Sequence, residues 1–112
     1  MKKYSFLILL LILHLTFLVH AQSARVNIQV KGHIKSEGKG IGGVTVTDGV
    51  SVVTTDNKGR YNLATTSESE YIYYSLPSGY ESPIVDGLPV FYKALDADKK
   101  NQKIDFDLIK AE

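Results

Sequence analysis

The stretch from Gly38 to Leu63 limits the fold of this chain more than any other, because it sets short β-branched runs between closely spaced glycine turns. Residues 44–47 read Val-Thr-Val-Thr, a composition that packs well on a pleated sheet surface. Asp48-Gly49 follows, and this dipeptide favours a two-residue type I′ hairpin, in which both central residues have positive φ. The pattern predicts that residues 51–55 run back antiparallel to residues 44–47.

A second turn is predicted at residues 56–59, where Asp56 can bond its own backbone and Gly59 can adopt a left-handed conformation. Residues 60–63 alternate in polarity and would form the third strand of a β-meander. Asp48, Gly49, Asp56 and Gly59 are therefore predicted to be structural turn residues.

Residues 1–21 have the features of a secretory signal peptide. Lys2 and Lys3 precede an apolar run from Phe6 to Val19, and Val19-His20-Ala21 offers a small-x-small cleavage pattern, so we expect cleavage before Gln22. The apolar run is shorter than the ~20 residues that span a bilayer, so no membrane span is expected after cleavage. The sequence predicts a secreted protein, periplasmic or extracellular.

The expected mature chain, 22–112, is one domain of 91 of the 112 residues and contains no cysteine. Loss of Lys2 and Lys3 leaves 11 basic against 12 acidic residues, which excludes the basic footprint of a nucleic-acid-binding domain. No helical hydrophobic period follows Ala21. The sequence predicts an all-β fold, most simply an antiparallel two-sheet β-sandwich of about seven short strands, Ig-like or transthyretin-like.

Alternating apolar and polar residues indicate half-buried strands at both ends of this domain. Near its start, Val26, Ile28, Val30 and Ile34 share one face, and near its end Ile104, Phe106 and Leu108 share one face. Pro77 ends an aromatic strand over residues 71–76, and an irregular crossing is expected over residues 81–89.

Residues that could carry catalysis or bind metal are sparse in residues 22–112. His33 is the only histidine there and lies on the polar face of its strand, where a solvated surface role is the common one. The loop at 96–103 lacks the third oxygen ligand and the glycine of a calcium loop, and Asp105 and Asp107 alternate on a polar strand face. We therefore expect no catalytic residue, no metal and no cofactor.

Gly38, Gly40 and Gly43 match the G-x-G-x-x-G pattern of dinucleotide-binding loops. That site needs a helix to begin at the third glycine, whereas residues 44–47 continue as a strand. A sharp turn with a bulge is the better interpretation.

Tyrosines at 71, 73, 74, 80 and 92 leave two interpretations open. They could form a platform on which sugars or bases stack, or they could fill the core and rim of a small β-sandwich.

An ordered set of short motifs resembles the N-terminal domain of secreted bacterial calcineurin-like metallophosphoesterases. Its pieces are Gly43-Val44-x-Val46-Thr47-Asp48-Gly49, Thr55-Asp56-x-x-Gly59-x-Tyr61, Leu76-Pro77-Ser78-Gly79-Tyr80, Phe91-Tyr92-Lys93 and Phe106-x-Leu108. The second piece also recurs in carboxypeptidase-regulatory-like and transthyretin-like β-sandwiches. The Asp, His and Asn ligand motifs of the phosphoesterase have no counterpart in this sequence.

The resemblance implies a non-catalytic accessory domain that packs against or orients a phosphoesterase catalytic domain, in the same or another polypeptide. Tyr80, Phe91 and Tyr92 are the predicted partner-contact residues. The alternative is a free-standing binding module for a glycan or a cell-surface protein, using loops at one end of the sandwich.

Overall fold

The computed structural model describes residues 25–112, so the predicted signal peptide and its cleavage site lie outside the described residues. Residues 25–112 form strands, turns and loops without a helix, and no helix able to cross a membrane is found among them. The thirteen strands are β1 (Asn27–Ser36), β2 (Lys39–Gly40), β3 (Thr45–Thr47), β4 (Val52–Thr54), β5 (Arg60–Thr66), β6 (Tyr71–Tyr74), β7 (Tyr80–Glu81), β8 (Ile84–Val85), β9 (Leu88–Pro89), β10 (Tyr92–Ala94), β11 (Asn101–Lys103), β12 (Phe106–Asp107) and β13 (Ile109–Lys110).

The first large sheet is built on β1, the longest strand. β5 pairs antiparallel along one side of β1, from Asn27 opposite Thr66 to His33 opposite Arg60. β11 and then β12 pair parallel along β1, and β2 pairs with its end. Two pairings of β1 are thus parallel, because the chain returns to the same end of β1 by a long path through the second sheet.

The second large sheet has the strand order β10-β6-β3-β4, and all its pairings are antiparallel. Apolar side chains of both large sheets form one core between them: Ile28, Val30, Ile34, Ile41, Val44, Val46, Tyr61, Leu63, Ile72, Tyr74, Ile104, Phe106 and Leu108. The ring centroids of Tyr74 and Phe106 lie 4.9 Å apart across this core. The predicted all-β sandwich is confirmed, with more and shorter strands than expected.

The predicted three-stranded meander is wrong in its last step. β3 and β4 form the expected antiparallel pair, but β5 crosses to the other sheet and pairs with β1. The crossing is fixed at the second turn, where the Gly59 carbonyl accepts a 2.8 Å hydrogen bond from Ile34 N–H. β1 offers β5 a partner of ten residues, whereas β4 has only three.

The turn at Asp48-Gly49 is a four-residue loop and not the predicted two-residue type I′ turn. Thr47 pairs with Val52, so residues 48–51 form the connection, and of the dipeptide only Gly49 has positive φ. The Asp48 carboxylate accepts hydrogen bonds from the N–H groups of Val50 and Ser51. The side chain thereby reinforces the single backbone bond that closes the loop, from Asp48 N–H to the Ser51 carbonyl at 3.4 Å.

A two-residue hairpin instead lies in the segment that the sequence predicts to be irregular, residues 81–89. Val85 pairs with Leu88, and the two residues between them, Asp86 and Gly87, have φ of 51° and 78°. These values have the sign that a type I′ turn requires. The segment is therefore a short hairpin, β8–β9.

Candidate functional site: the aromatic face

The most distinctive surface of the described chain is the outer face of the second large sheet. Strand period sends Ile72 and Tyr74 of β6 into the core and Tyr71 and Tyr73 to the outside. Pairing of β10 with β6 places Tyr92 opposite Tyr73 on that same face. Together with Phe91, which directly precedes β10, these rings form what we call the aromatic face: Tyr71, Tyr73, Phe91 and Tyr92.

Each ring of the aromatic face lies beside at least two others. Ring centroids are 5.4 Å apart for Tyr71 and Tyr92 and 5.4 Å apart for Phe91 and Tyr92, both edge to face. Tyr73 lies 6.2 to 6.4 Å from the centroids of its three neighbours. Such distances and tilts are those of favourable aromatic pairs, so the rings support one another in fixed positions.

The tilts bear on the stacking-platform interpretation. Interplanar angles within the face are 81°, 77°, 58° and 47°, and only Tyr73 and Phe91, at 32°, approach a parallel arrangement. The four rings therefore do not form one flat platform. Tyr74, in contrast, is a core residue whose hydroxyl lies 2.5 Å from Ser82 Oγ.

The remaining positions of the outer face are uncharged. Register pairs Thr45 with Thr54, Thr47 with both Val52 and Tyr73, and Ala94 with Tyr71, so all of these residues share the face. Lys93 lies on the opposite side of β10, where its Nζ is 5.4 Å from the centroid of the Phe106 ring. A sheet face that meets water normally carries polar and charged residues, and this one carries tyrosine, phenylalanine, threonine, valine and alanine.

The structure brings together two of the three predicted contact residues. Phe91 and Tyr92 are adjacent on the aromatic face, and each is 42% exposed. Tyr80 belongs to β7, is partly buried and packs against the core. Tyr71 and Tyr73 instead lie beside Phe91 and Tyr92. The two-residue period of β6 predicts that Tyr71 and Tyr73 share a face, but only the register of β10 against β6 shows that Tyr92 joins them.

Two of the predicted turn residues are carboxylates with lowered pKa. Partial burial raises the pKa of Asp48, but hydrogen bonds from the Thr65 hydroxyl and from the N–H groups of Ser51 and Val50 outweigh it. Thr65 lies on β5, 2.5 Å from Asp48 Oδ2, so this contact also ties the two large sheets together.

At the second turn, hydrogen bonds from the backbone and guanidinium of Arg60 lower the pKa of Asp56. The Arg60 Nε donates to Asp56 Oδ2 at 2.8 Å. Gly59 has a φ of 78° in this turn. Both carboxylates thus serve as hydrogen-bond acceptors that shape the turns.

Asp105 is the acidic neighbour of His33 in the described part of the chain. The Nδ1 of His33 lies 3.7 Å from Asp105 Oδ1, and the backbone N–H of His33 donates to the same oxygen at 2.8 Å. Within residues 25–112 no serine or threonine hydroxyl hydrogen-bonds the imidazole, and that contact is the one a Ser-His-Asp triad needs. Within residues 25–112 no group of three His, Cys, Asp or Glu side chains is arranged to hold a metal ion.

The glycines of the G-x-G-x-x-G pattern also lack the surroundings of a phosphate site. Gly38 lies in the turn between β1 and β2, and Gly43 has a φ of 75°. Strand β3 begins two residues after Gly43, where a dinucleotide site would need a helix.

Comparison with protein families finds a match over most of the described chain. The model described as "N terminal of Calcineurin-like phosphoesterase" matches residues 28–111, which extend from β1 to the end of β13. A comparison with curated proteins finds no match.

Proposed function

Since this chain belongs to the family of N-terminal domains of calcineurin-like phosphoesterases, we propose that it is a non-catalytic accessory domain that docks against a phosphoesterase catalytic domain through its aromatic face. The observation that carries the proposal is the combination of four clustered rings with an uncharged sheet face. Clustered, partly exposed aromatic side chains are the residues that most often dominate binding energy at protein interfaces.

The physical role of this face is to lose water on docking. Tyr92 and Phe91 each expose about two fifths of their surface, and their neighbours already hold them in place. Binding therefore buries apolar area without freezing much additional side-chain motion, which keeps the entropic cost low. The tyrosine hydroxyls remain available to hydrogen-bond groups of the partner.

Binding to a purified calcineurin-like phosphoesterase catalytic domain from the same organism tests the proposal. We expect Phe91→Ala and Tyr92→Ala each to weaken the association, measured by titration calorimetry, by about tenfold or more. Ile109→Ala is the matched control, because Ile109 is an exposed apolar residue on β13, outside the second large sheet.

An absence of binding to the catalytic domain would contradict the docking role and favour a free-standing binding module. Equal affinity for the wild-type chain and a Phe91→Ala, Tyr92→Ala double variant would assign docking to another surface. Circular dichroism of each variant verifies that the fold is retained.

We also propose that the chain is exported and cleaved between Ala21 and Gln22. Support comes from Lys2 and Lys3, the apolar run that follows them and the Val19-x-Ala21 pattern. The intact mass of protein recovered outside the cytoplasm should correspond to residues 22–112. Retention of residues 1–21 on protein in the membrane fraction would contradict the proposal.

A further inference from the structure

Strand β4 is an open edge of the second large sheet. In the order β10-β6-β3-β4 it has one neighbour, β3, and no described strand pairs with its other side. An open edge presents N–H and C=O groups in the geometry that binds another strand.

The hydrogen-bond pattern identifies the groups that face outward. Thr55 N–H donates to the Val44 carbonyl at 2.9 Å, and Asp48 N–H donates to the Ser51 carbonyl at 3.4 Å. Bonded and non-bonded pairs alternate along an antiparallel ladder, so Val53 bonds to β3. The backbone N–H and C=O groups of Val52 and Thr54 therefore point away from the sheet.

The shortness of this edge, three residues, is one protection of a free strand, but the other usual protections are missing. Residues 49–55 contain neither a charged residue nor proline. Val50 is 89% exposed and Val52 is 64% exposed. Natural edges are commonly blocked by lysine, proline or a bulge, and none of the three stands between Gly49 and Thr55.

We propose that β4 pairs antiparallel with β4 of a second copy of this chain, joining two sandwiches into one continuous eight-stranded sheet. With Val53 on the two-fold axis, Val52 of each copy stands opposite Thr54 of the other. These two symmetric pairs exchange four backbone hydrogen bonds.

A second copy fits this edge because the edge is self-complementary. The facing side chains are valine and threonine only, which are the residues that pair best on a pleated surface. Val53 is partly buried against the core, and it meets Val53 of the second copy on that side.

Electrostatic repulsion favours the register with Val53 on the two-fold axis over the neighbouring register with Val52 on the axis. Pairing with Val52 on the axis would bring Asp48 of one copy toward Asp56 of the other, a contact between two like charges that the Val53 register avoids.

The expected dimer is weak. Three-residue strands bury much less area than the roughly 1,600 Å² of a stable interface, so association should require high protein concentration.

Sedimentation velocity of the purified chain, from micromolar to millimolar concentration, tests the proposal. We expect a monomer–dimer equilibrium whose dissociation constant rises about tenfold or more in Val52→Lys. The substitution replaces valine by lysine in both symmetric pairs with Thr54 of the other copy. Leu88→Lys is the matched control: Leu88 is 68% exposed on the β8–β9 hairpin, and the same charge there should leave the equilibrium unchanged.

A second variant and a second measurement probe the hydrogen bonds themselves. Thr54→Pro removes an N–H that faces outward, so it should weaken the dimer while the sheet, which does not use that N–H, stays folded. Hydrogen exchange at the Val52 and Thr54 amides should slow as concentration rises.

Three results would overturn the proposal. They are a monomer at every concentration, a dimer that survives both Val52→Lys and Thr54→Pro, and amide protection at β4 that appears only when a phosphoesterase catalytic domain is added. The last result would assign the edge to a strand of that domain.

Discussion

The hydroxyl of Tyr61 donates a 2.5 Å hydrogen bond to the carbonyl oxygen of Ile104, 43 residues away, across the backbone of Gly32. Tyr61 is on β5, Gly32 is on the central strand β1, and Ile104 lies between β11 and β12. A Cβ on Gly32 would be 1.8 Å from the Ile104 carbonyl oxygen and 2.8 Å from the Tyr61 ring. The Tyr61 side chain therefore packs over Gly32 and links β5 to the segment between β11 and β12 across β1.

Removal of this hydroxyl should destabilise the fold. Tyr61→Phe leaves the Ile104 carbonyl without its hydroxyl donor in a buried place, which costs about 1–3 kcal/mol. Urea unfolding measures the loss. Tyr71→Phe is the control, because Tyr71 lies on the exposed aromatic face and its change should stay within about 0.5 kcal/mol. Equal midpoints for the two variants would show that the hydroxyl of Tyr61 does not hold the sheet.

Gly59→Ala should cost more stability than Gly49→Ala. Both glycines have positive φ, which costs an L-residue about 1–2 kcal/mol. A Cβ on Gly49 meets nothing within 4 Å, whereas one on Gly59 lies 2.3 Å from the Ile34 carbonyl oxygen. We expect about 1 kcal/mol for Gly49→Ala and about 3 kcal/mol or more for Gly59→Ala in denaturant unfolding. The reverse order of midpoints would contradict the close approach of Gly59 to β1.

The fold should lose stability in acid through its two turn carboxylates. Asp48 and Asp56 have pKa values lowered from the ordinary 3.8 in the folded chain, so the unfolded chain binds their protons more readily. Their contribution is complete above the unfolded pKa and is lost as the pH falls through the lower folded values.

Urea unfolding at pH 7 and at pH 3 measures this contribution. Asp48→Asn and Asp56→Asn should each be less stable than wild type at pH 7 and should lose less on acidification. A variant with the same pH dependence as wild type would contradict the assignment for that residue.

The purified chain should hydrolyse neither a phosphodiester nor a phosphomonoester, with or without Mn²⁺ or Zn²⁺. A two-metal phosphoesterase site needs several converging ligands with the ions about 3.5–4 Å apart. His33 and Asp105 supply one imidazole and one carboxylate. A colorimetric assay beside an active phosphoesterase, with calorimetric titration of both ions, provides the test. The non-catalytic role would be refuted by turnover that persists in the chelation controls and disappears in His33→Ala.

The sequence by itself determined the buried face of the first strand and of the last segment. Alternation along β1 places Ile28, Val30 and Ile34 inside, and the same period places Phe106 and Leu108 inside, as the structure confirms. Side-chain direction in a strand depends only on the backbone period of two, which is a local property. The all-β class follows from the same patterns and the absence of a helical one.

Only the tertiary structure decided which strands pair. The dipeptides Asp48-Gly49 and Asp86-Gly87 are identical, yet only the second forms a two-residue turn. Loop length follows from which flanking residues pair, Thr47 with Val52 in one case and Val85 with Leu88 in the other. Local propensity alone does not fix that register.

The aromatic face, too, was determined partly by the sequence and partly by the tertiary structure. The period of β6 sets Tyr71 and Tyr73 on one side of their strand, but Tyr92 joins them only because β10 pairs with β6 in one particular register. Tyr80 is also aromatic, but β7 pairs with β13 and Tyr80 packs against the core. Pairing between distant segments depends on contacts that form together when the core closes, so a single strand's pattern reveals its faces but not its neighbours.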